Sequence, residues 1–162
     1  MTTSPAQSVK QASLYERVGG YEAIYRMAAN GLRRAMQDPV IGRYWQHMSE
    51  SSFKREHINF VDFLVAQWGG PDNYRGRDMI TTHRGMGITD EHWDALMNCI
   101  EAGQVAASVP DDLAQEIKAF FRKFKPVVAG SPSFRDVVLA HPEMDITKGM
   151  QSVGVVWPER KI

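Results

Sequence analysis

Residues 68–93 read WGGPDNYRGRDMITTHRGMGITDEHW, and the reading of this stretch decides the fold. One long helical pattern stops on Gly69-Gly70-Pro71, and the next starts behind Thr89, a good N-cap residue. Between them lie 19 residues, 69–87, with room for only one short turn of helix, from Met79 to His83. Helix connections in compact bundles usually take about 2–8 residues. A glycine-rich link this long needs either disorder or a filled pocket to hold it.

Working outward, helical period dominates and strand signals are scarce. Ser13 and Glu16 have capping-box spacing and open a short helix that stops at Gly19-Gly20. A second helix starts near Tyr21, carries the stripe Ile24, Met27, Ala28, Leu32, Ala35, Met36, and ends at Asp38-Pro39. Residues 40–48 give one more short helical piece. Ser51-Ser52 is placed to cap a third helix running to Trp68, with Phe53, His57, Phe60, Val61 and Leu64 on one face. Past the break, the fourth helix turns Trp93, Leu96, Met97 and Ile100 inward. Ser108 and Pro110 open a fifth, with Leu113, Ile117, Phe120, Phe121 and Phe124 as its stripe, and Pro126 closes it. Residues 127–162 show no clear period, although residues 153–157, VGVVW, suit an extended segment laid on the body or on a neighbour.

Composition narrows the function. Lys+Arg and Asp+Glu both total 19, so there is no basic excess to drive nucleic-acid binding. No apolar run reaches membrane-spanning length, and the first residues lack a signal-peptide core. The lone Cys99 makes no intrachain disulfide, which suits a reducing compartment; a cytoplasmic location is expected. No HExxH, CxxC, phosphate loop or GxSxG elbow occurs.

Of the five histidines, His47, His57, His83, His92 and His141, two stand apart. His57 occupies an apolar stripe, where an imidazole needs hydrogen bonds or a metal. His83 closes the short turn before Gly85, where small residues let a bulky flat group approach the backbone. Together they suggest a flat apolar ligand between two helical segments, such as a haem, which needs one protein nitrogen on its proximal side. A satisfied core or surface histidine is the competing reading of each.

The wording of three segments is specific. LYERVGGYEAI (14–24), the 68–93 stretch with GGPDNYRGR, His83 and GMGIT, and SVPDDLAQEI (108–117) resemble the group I truncated haemoglobins. The resemblance covers about residues 13–125 and implies an all-α, two-over-two helical sandwich around haem b. It divides the chain into a flexible N-terminal segment (1–12), a globin domain (13–126) and a C-terminal extension (127–162).

The resemblance carries His83 onto the proximal iron ligand and places Tyr74, Met79, Met86, Ile88 and Trp93 at haem contacts. Arg77 or Arg84 would pair with a propionate, since guanidinium binds carboxylate bidentately. On the distal side the chain departs from the family. Leu32 stands where a tyrosine is usual, and Tyr44-Trp45 replaces a phenylalanine pair. His57 with Val61 four residues on looks like the distal pair of ordinary myoglobins, so His57 is expected as a distal donor or ligand, with Phe53, Phe60 and Val61 beside it.

The resulting expectation is a haem protein that reversibly binds O2, CO and NO, for oxygen binding or transport or for protection from NO. A donor such as His57 would favour O2 by about 1–3 kcal/mol. The alternatives are a redox enzyme (an NO dioxygenase served by a separate reductase, or a peroxidase-like protein) with a bis-histidine resting state, and a haem-free helical interaction module. A monomer or weak dimer is expected.

Overall fold

The helices begin where the sequence supplies caps. In a computed structural model describing residues 11–140, Ser13 Oγ accepts the Glu16 N–H at 3.2 Å while the Glu16 carboxylate accepts the Ser13 N–H at 2.7 Å. This box opens α1 (Leu14–Val18), which ends on Gly19 at φ +104°. α2 (Gly20–Gln37) follows at once and buries Ile24, Met27, Ala28, Leu32 and Ala35. A 3-10 turn at Gly42–Tyr44 leads to α3 (Glu50–Gln67). The α3 cap is Ser49, whose Oγ accepts the Ser52 N–H at 3.2 Å, two residues ahead of the expected Ser51-Ser52. Serines here run 49, 51, 52, and only the first has the extended backbone a cap needs.

Beyond the glycine break come α4 (Met79–His83), α5 (Asp90–Ala106), α6 (Asp111–Arg122), α7 (Lys125–Val128) and α8 (Phe134–Ala140). α2 packs on α3, α5 packs on α6, and α2 crosses α5, which makes the two-over-two sandwich. α3 buries His57, Val61, Phe63, Leu64 and Val65, more than one stripe, because it is covered on adjoining sides. The main core joins Ile24, Met27, Val61, Phe63, Leu64, Trp68, Ile117 and Phe121.

Two expectations about the C-terminal part change. Pro126 does not close α6; that helix ends at Arg122, and Pro126 sits in the first turn of α7, where its missing N–H leaves nothing unpaired. Residues 134–140 form a helix that periodicity missed, since seven residues give too few repeats to register. Its cap is Ser133, which accepts the Asp136 N–H at 3.1 Å and donates to the Asp136 carboxylate at 2.6 Å. The expectations for residues 1–10, for His141 and for residues 153–157 lie outside the described residues.

Candidate functional site

α4 is only five residues long and buries no side chain fully, so its cap matters. Asp78 Oδ1 accepts the Thr81 N–H at 2.9 Å, and Oδ2 accepts the Thr81 hydroxyl at 2.7 Å. These bonds from Thr81 hold the Asp78 carboxyl below its usual range. His83 is the last residue of the helix, and its Nδ1 lies 2.8 Å from the Met79 carbonyl oxygen. A carbonyl only accepts, so Nδ1 donates, and the neutral ring of this tautomer carries its lone pair on Nε2. Among the described residues Nε2 has no hydrogen-bond partner. Gly85 and Gly87 follow at φ +77° and +66°, turns that an L side chain rarely adopts.

Most of the apolar residues expected at a haem fall into two packed clusters. Ile88 and Trp93 are buried with Val128, and Tyr44, Met86, Met97 and Phe124 pack on them. Met79, Tyr74, Phe60, Met97 and Phe124 also pack on the main core, so Met97 and Phe124 join the two clusters. Tyr74 donates to the Arg77 carbonyl at 2.5 Å and meets Phe63 edge to face at 5.5 Å; burial raises its phenol pKa. The Arg77 and Arg84 side chains are exposed on either side of α4, with no ion pair among the described residues.

The Tyr44 hydroxyl is held by a residue the periodicity did not single out. Nδ1 of the buried His92 lies 2.9 Å from the Tyr44 hydroxyl and 3.2 Å from the Thr89 N–H. Arg43 Nη2 lies 2.8 Å from the ring's Nε2. The capping-box spacing of Thr89 and His92 was the available signal. Trp45 packs instead with Ala35, Ile41 and Cys99, edge-on to Tyr44 at 6.3 Å. Phe53, half-buried near the start of α3, joins none of these clusters.

On the other side of Phe60, a cavity of about 30 Å³ opens between Gly31 and Leu32 of α2, Phe60 and Leu64 of α3, Ile100 of α5 and Phe121 of α6. That is room for one small molecule, and an apolar lining of this kind favours a nonpolar occupant over water. The expected pair Leu32 and Phe60 meet here. Leu64, Ile100 and Phe121 were legible only as stripe residues.

The structure does not bring His57 or Val61 to the cavity wall. His57 is 6 % exposed, donates from Nε2 to the Tyr25 carbonyl at 3.3 Å and lies against the Tyr25 ring, centroids 4.3 Å apart. Burial lowers its pKa and keeps the ring neutral. Val61 is wholly buried in the main core. The cause is position along the helix: His57 lies on the same stripe as Phe60 and Leu64 but nearly two turns before Leu64, where it meets α2 at Tyr25.

The arrangement is a helical sandwich that offers one imidazole from a short helix, next to aromatic and thioether side chains. It defines a haem-carrying protein of the globin type. The family model described as "Bacterial-like globin" matches residues 13–130, and the chain belongs to that family. It is 28 % identical over 123 residues to the group 1 truncated hemoglobin GlbN of Mycolicibacterium paratuberculosis, covering 76 % of this chain and 88 % of that protein. It is 29 % identical over 132 residues to GlbN of Synechocystis, covering 79 % and 98 %. The fold is also that of the Tetrahymena pyriformis truncated hemoglobin in its Fe(III) form, with TM-score 0.68 and 22 % identity over 74 % of this chain and 100 % of that one.

Haem b is accordingly the prosthetic group. The residues present fit it. Haem needs one protein nitrogen, which His83 would supply, and the apolar cluster around Trp93 and Met97 suits a flat macrocycle. Among the described residues no helix is long and apolar enough to cross a membrane.

Proposed function

We propose that this chain holds haem b through His83 and reversibly binds the diatomic gases O2, CO and NO, serving oxygen binding or transport or protection from NO in the cytoplasm. The observation that carries this reading is the Nδ1–H bond of His83 to the Met79 carbonyl. It selects the tautomer with a free Nε2 lone pair and strengthens that nitrogen as a donor. Haem held by His83 would supply an iron able to bind a diatomic gas.

The chain's own residues do the rest. Met79, Tyr74, Met86, Ile88 and Trp93 exclude water from the macrocycle, and Arg77 and Arg84 are placed to meet its propionates at the surface. Leu32, Phe60 and Leu64 give the gas a small dry cavity. Trp45 packs with Ala35, Ile41 and Cys99, and Phe53 joins none of the packed clusters. Within this reading residues 13–126 form the haem-binding domain and residues 127–162 an extension.

His57 would serve as a distal donor or as a second iron ligand only by releasing the Tyr25 carbonyl. The five-coordinate resting state is therefore favoured over the bis-histidine state expected of a redox enzyme. NO dioxygenation remains compatible with an iron held by one histidine, given a separate reductase.

Absorption spectra of the ferric, ferrous and ferrous-CO forms test the proposal. The full chain should show a Soret band and a five-coordinate ferrous form. His83→Gly should lose that spectrum and regain it with added imidazole. A His83→Gly protein with unchanged haem uptake and spectrum overturns it.

A further inference from the structure

The loop that leaves His83 is held by residues beyond the family match. Gly85 O accepts the Phe134 N–H at 3.0 Å, and Met86 pairs with Ser133 in an isolated antiparallel bridge. A Cβ built on Gly85 would fall 2.2 Å from the Phe134 ring, and one on Gly87 would fall 2.8 Å from the Ser133 Cβ. The two left-handed glycines thus do more than turn the chain: they let residues 133–134 lie directly on the backbone two to four positions beyond His83. Phe134 itself is 57 % exposed, so this aromatic ring sits at the surface with Gly85 beneath it.

Two further observations give this contact meaning. The family match ends at Gly130, three residues before Ser133. α8 is anchored at its start by the mutual Ser133–Asp136 bonds, which present Phe134 in a set orientation. Against this, α4 is one short helix with no fully buried residue, and it depends on its neighbours for its position.

We infer that Ser133 and Phe134 form a clip that positions the His83 imidazole, so the C-terminal extension tunes the iron–histidine bond. The inference rests on His83 being the iron ligand, as proposed above. Phe134 is a positioning residue. It acts through Gly85 and Met86 on the end of α4 and touches no haem-binding nitrogen.

The test is resonance Raman of the ferrous five-coordinate full-length protein, with haem transfer to excess apomyoglobin as a second readout. Phe134→Ala keeps the backbone bond to Gly85 but removes the ring, and should shift and broaden the iron–histidine stretching band and speed haem loss by about fivefold, the scale of one partly buried ring contact. Phe134→Tyr should restore both, and Leu139→Ala, on the same helix but 70 % exposed, should change neither. Should Phe134→Ala destabilise the protein at large, Ser133→Ala, which removes only the α8 cap, should still shift the band in the same direction. An unchanged band and haem-loss rate in both Phe134→Ala and Ser133→Ala overturn the clip while leaving the assignment of His83 intact. A wild-type protein with no iron–histidine band overturns both.

Discussion

Gly103 of α5 comes so close to Gly31 of α2 that a Cβ built on it would stand 2.8 Å from the Gly31 backbone nitrogen. The reverse does not hold, for a Cβ on Gly31 would meet the Cys99 carbonyl at an ordinary 3.7 Å. The crossing of the two layers is thus asymmetric: one glycine is required and the other is not.

Opposite outcomes are expected for the same change at the two sites. Gly103→Ala must push α2 and α5 apart and should destabilise by about 1–3 kcal/mol, as overpacking does. Gly31→Ala should be neutral or stabilising by up to about 1 kcal/mol, since alanine is the better helix residue. Urea unfolding midpoints decide between them, and equal shifts in both variants would contradict the asymmetry.

His57 makes stability depend on pH. Burial lowers its pKa from the ordinary 6.5, so below that value the unfolded chain takes up a proton the folded chain resists. Stability attributable to His57 is therefore full above about 6.5 and falls as the pH drops toward the folded-state value, by less than about 1.4 kcal/mol per pH unit. His57→Phe should flatten the unfolding free energy between pH 7 and 5 relative to wild type. It should also leave CO and O2 dissociation close to wild type, which stopped-flow measurements check. A large increase in O2 dissociation would support the distal role expected from the sequence.

Asp78 caps the helix that carries His83. Replacing it by alanine removes both bonds to Thr81, and haem loss to apomyoglobin should accelerate several-fold, with little change in overall helix content by circular dichroism. Asp78→Ser keeps an acceptor and should retain most of the wild-type behaviour. In the parent the carboxylate form caps the helix, so this support is present above the ordinary carboxylate range and lost as pH falls through the lowered value.

The cavity beside Phe60 invites a filling test. Leu32→Trp should occupy most of its roughly 30 Å³ and slow CO association after flash photolysis, at a stability cost of about 1–3 kcal/mol. An unchanged association rate would mean that gas reaches the iron by another route.

How much of this was legible in the sequence depended on how local each feature is. The capping pairs Ser13–Glu16 and Thr89–His92, the helix stops at Gly19 and Gly69, and the short turn ending in His83 are all set within four residues of themselves. Each could be read from spacing, and the bond of His83 to Met79 has the same i, i+4 character. His57 was harder. Its stripe was right and its burial real, yet one turn of helix separates facing Tyr25 from facing the cavity, and spacing alone does not say which neighbour lies where. α8 was too short to announce itself, and nothing near Phe134 in the chain points to Gly85.

By itself, then, the sequence determined where helices start and stop, that the fold is all helix, and which imidazole stands at the end of the short helix before the glycines. Backbone capping and left-handed glycine turns are local chemistry and travel with the chain. Only the tertiary structure decided what His57 touches, which of two glycines the α2–α5 crossing needs, and that residues 133–134 close over the loop after His83. Those contacts join residues tens of positions apart, and their geometry is set by how whole helices pack.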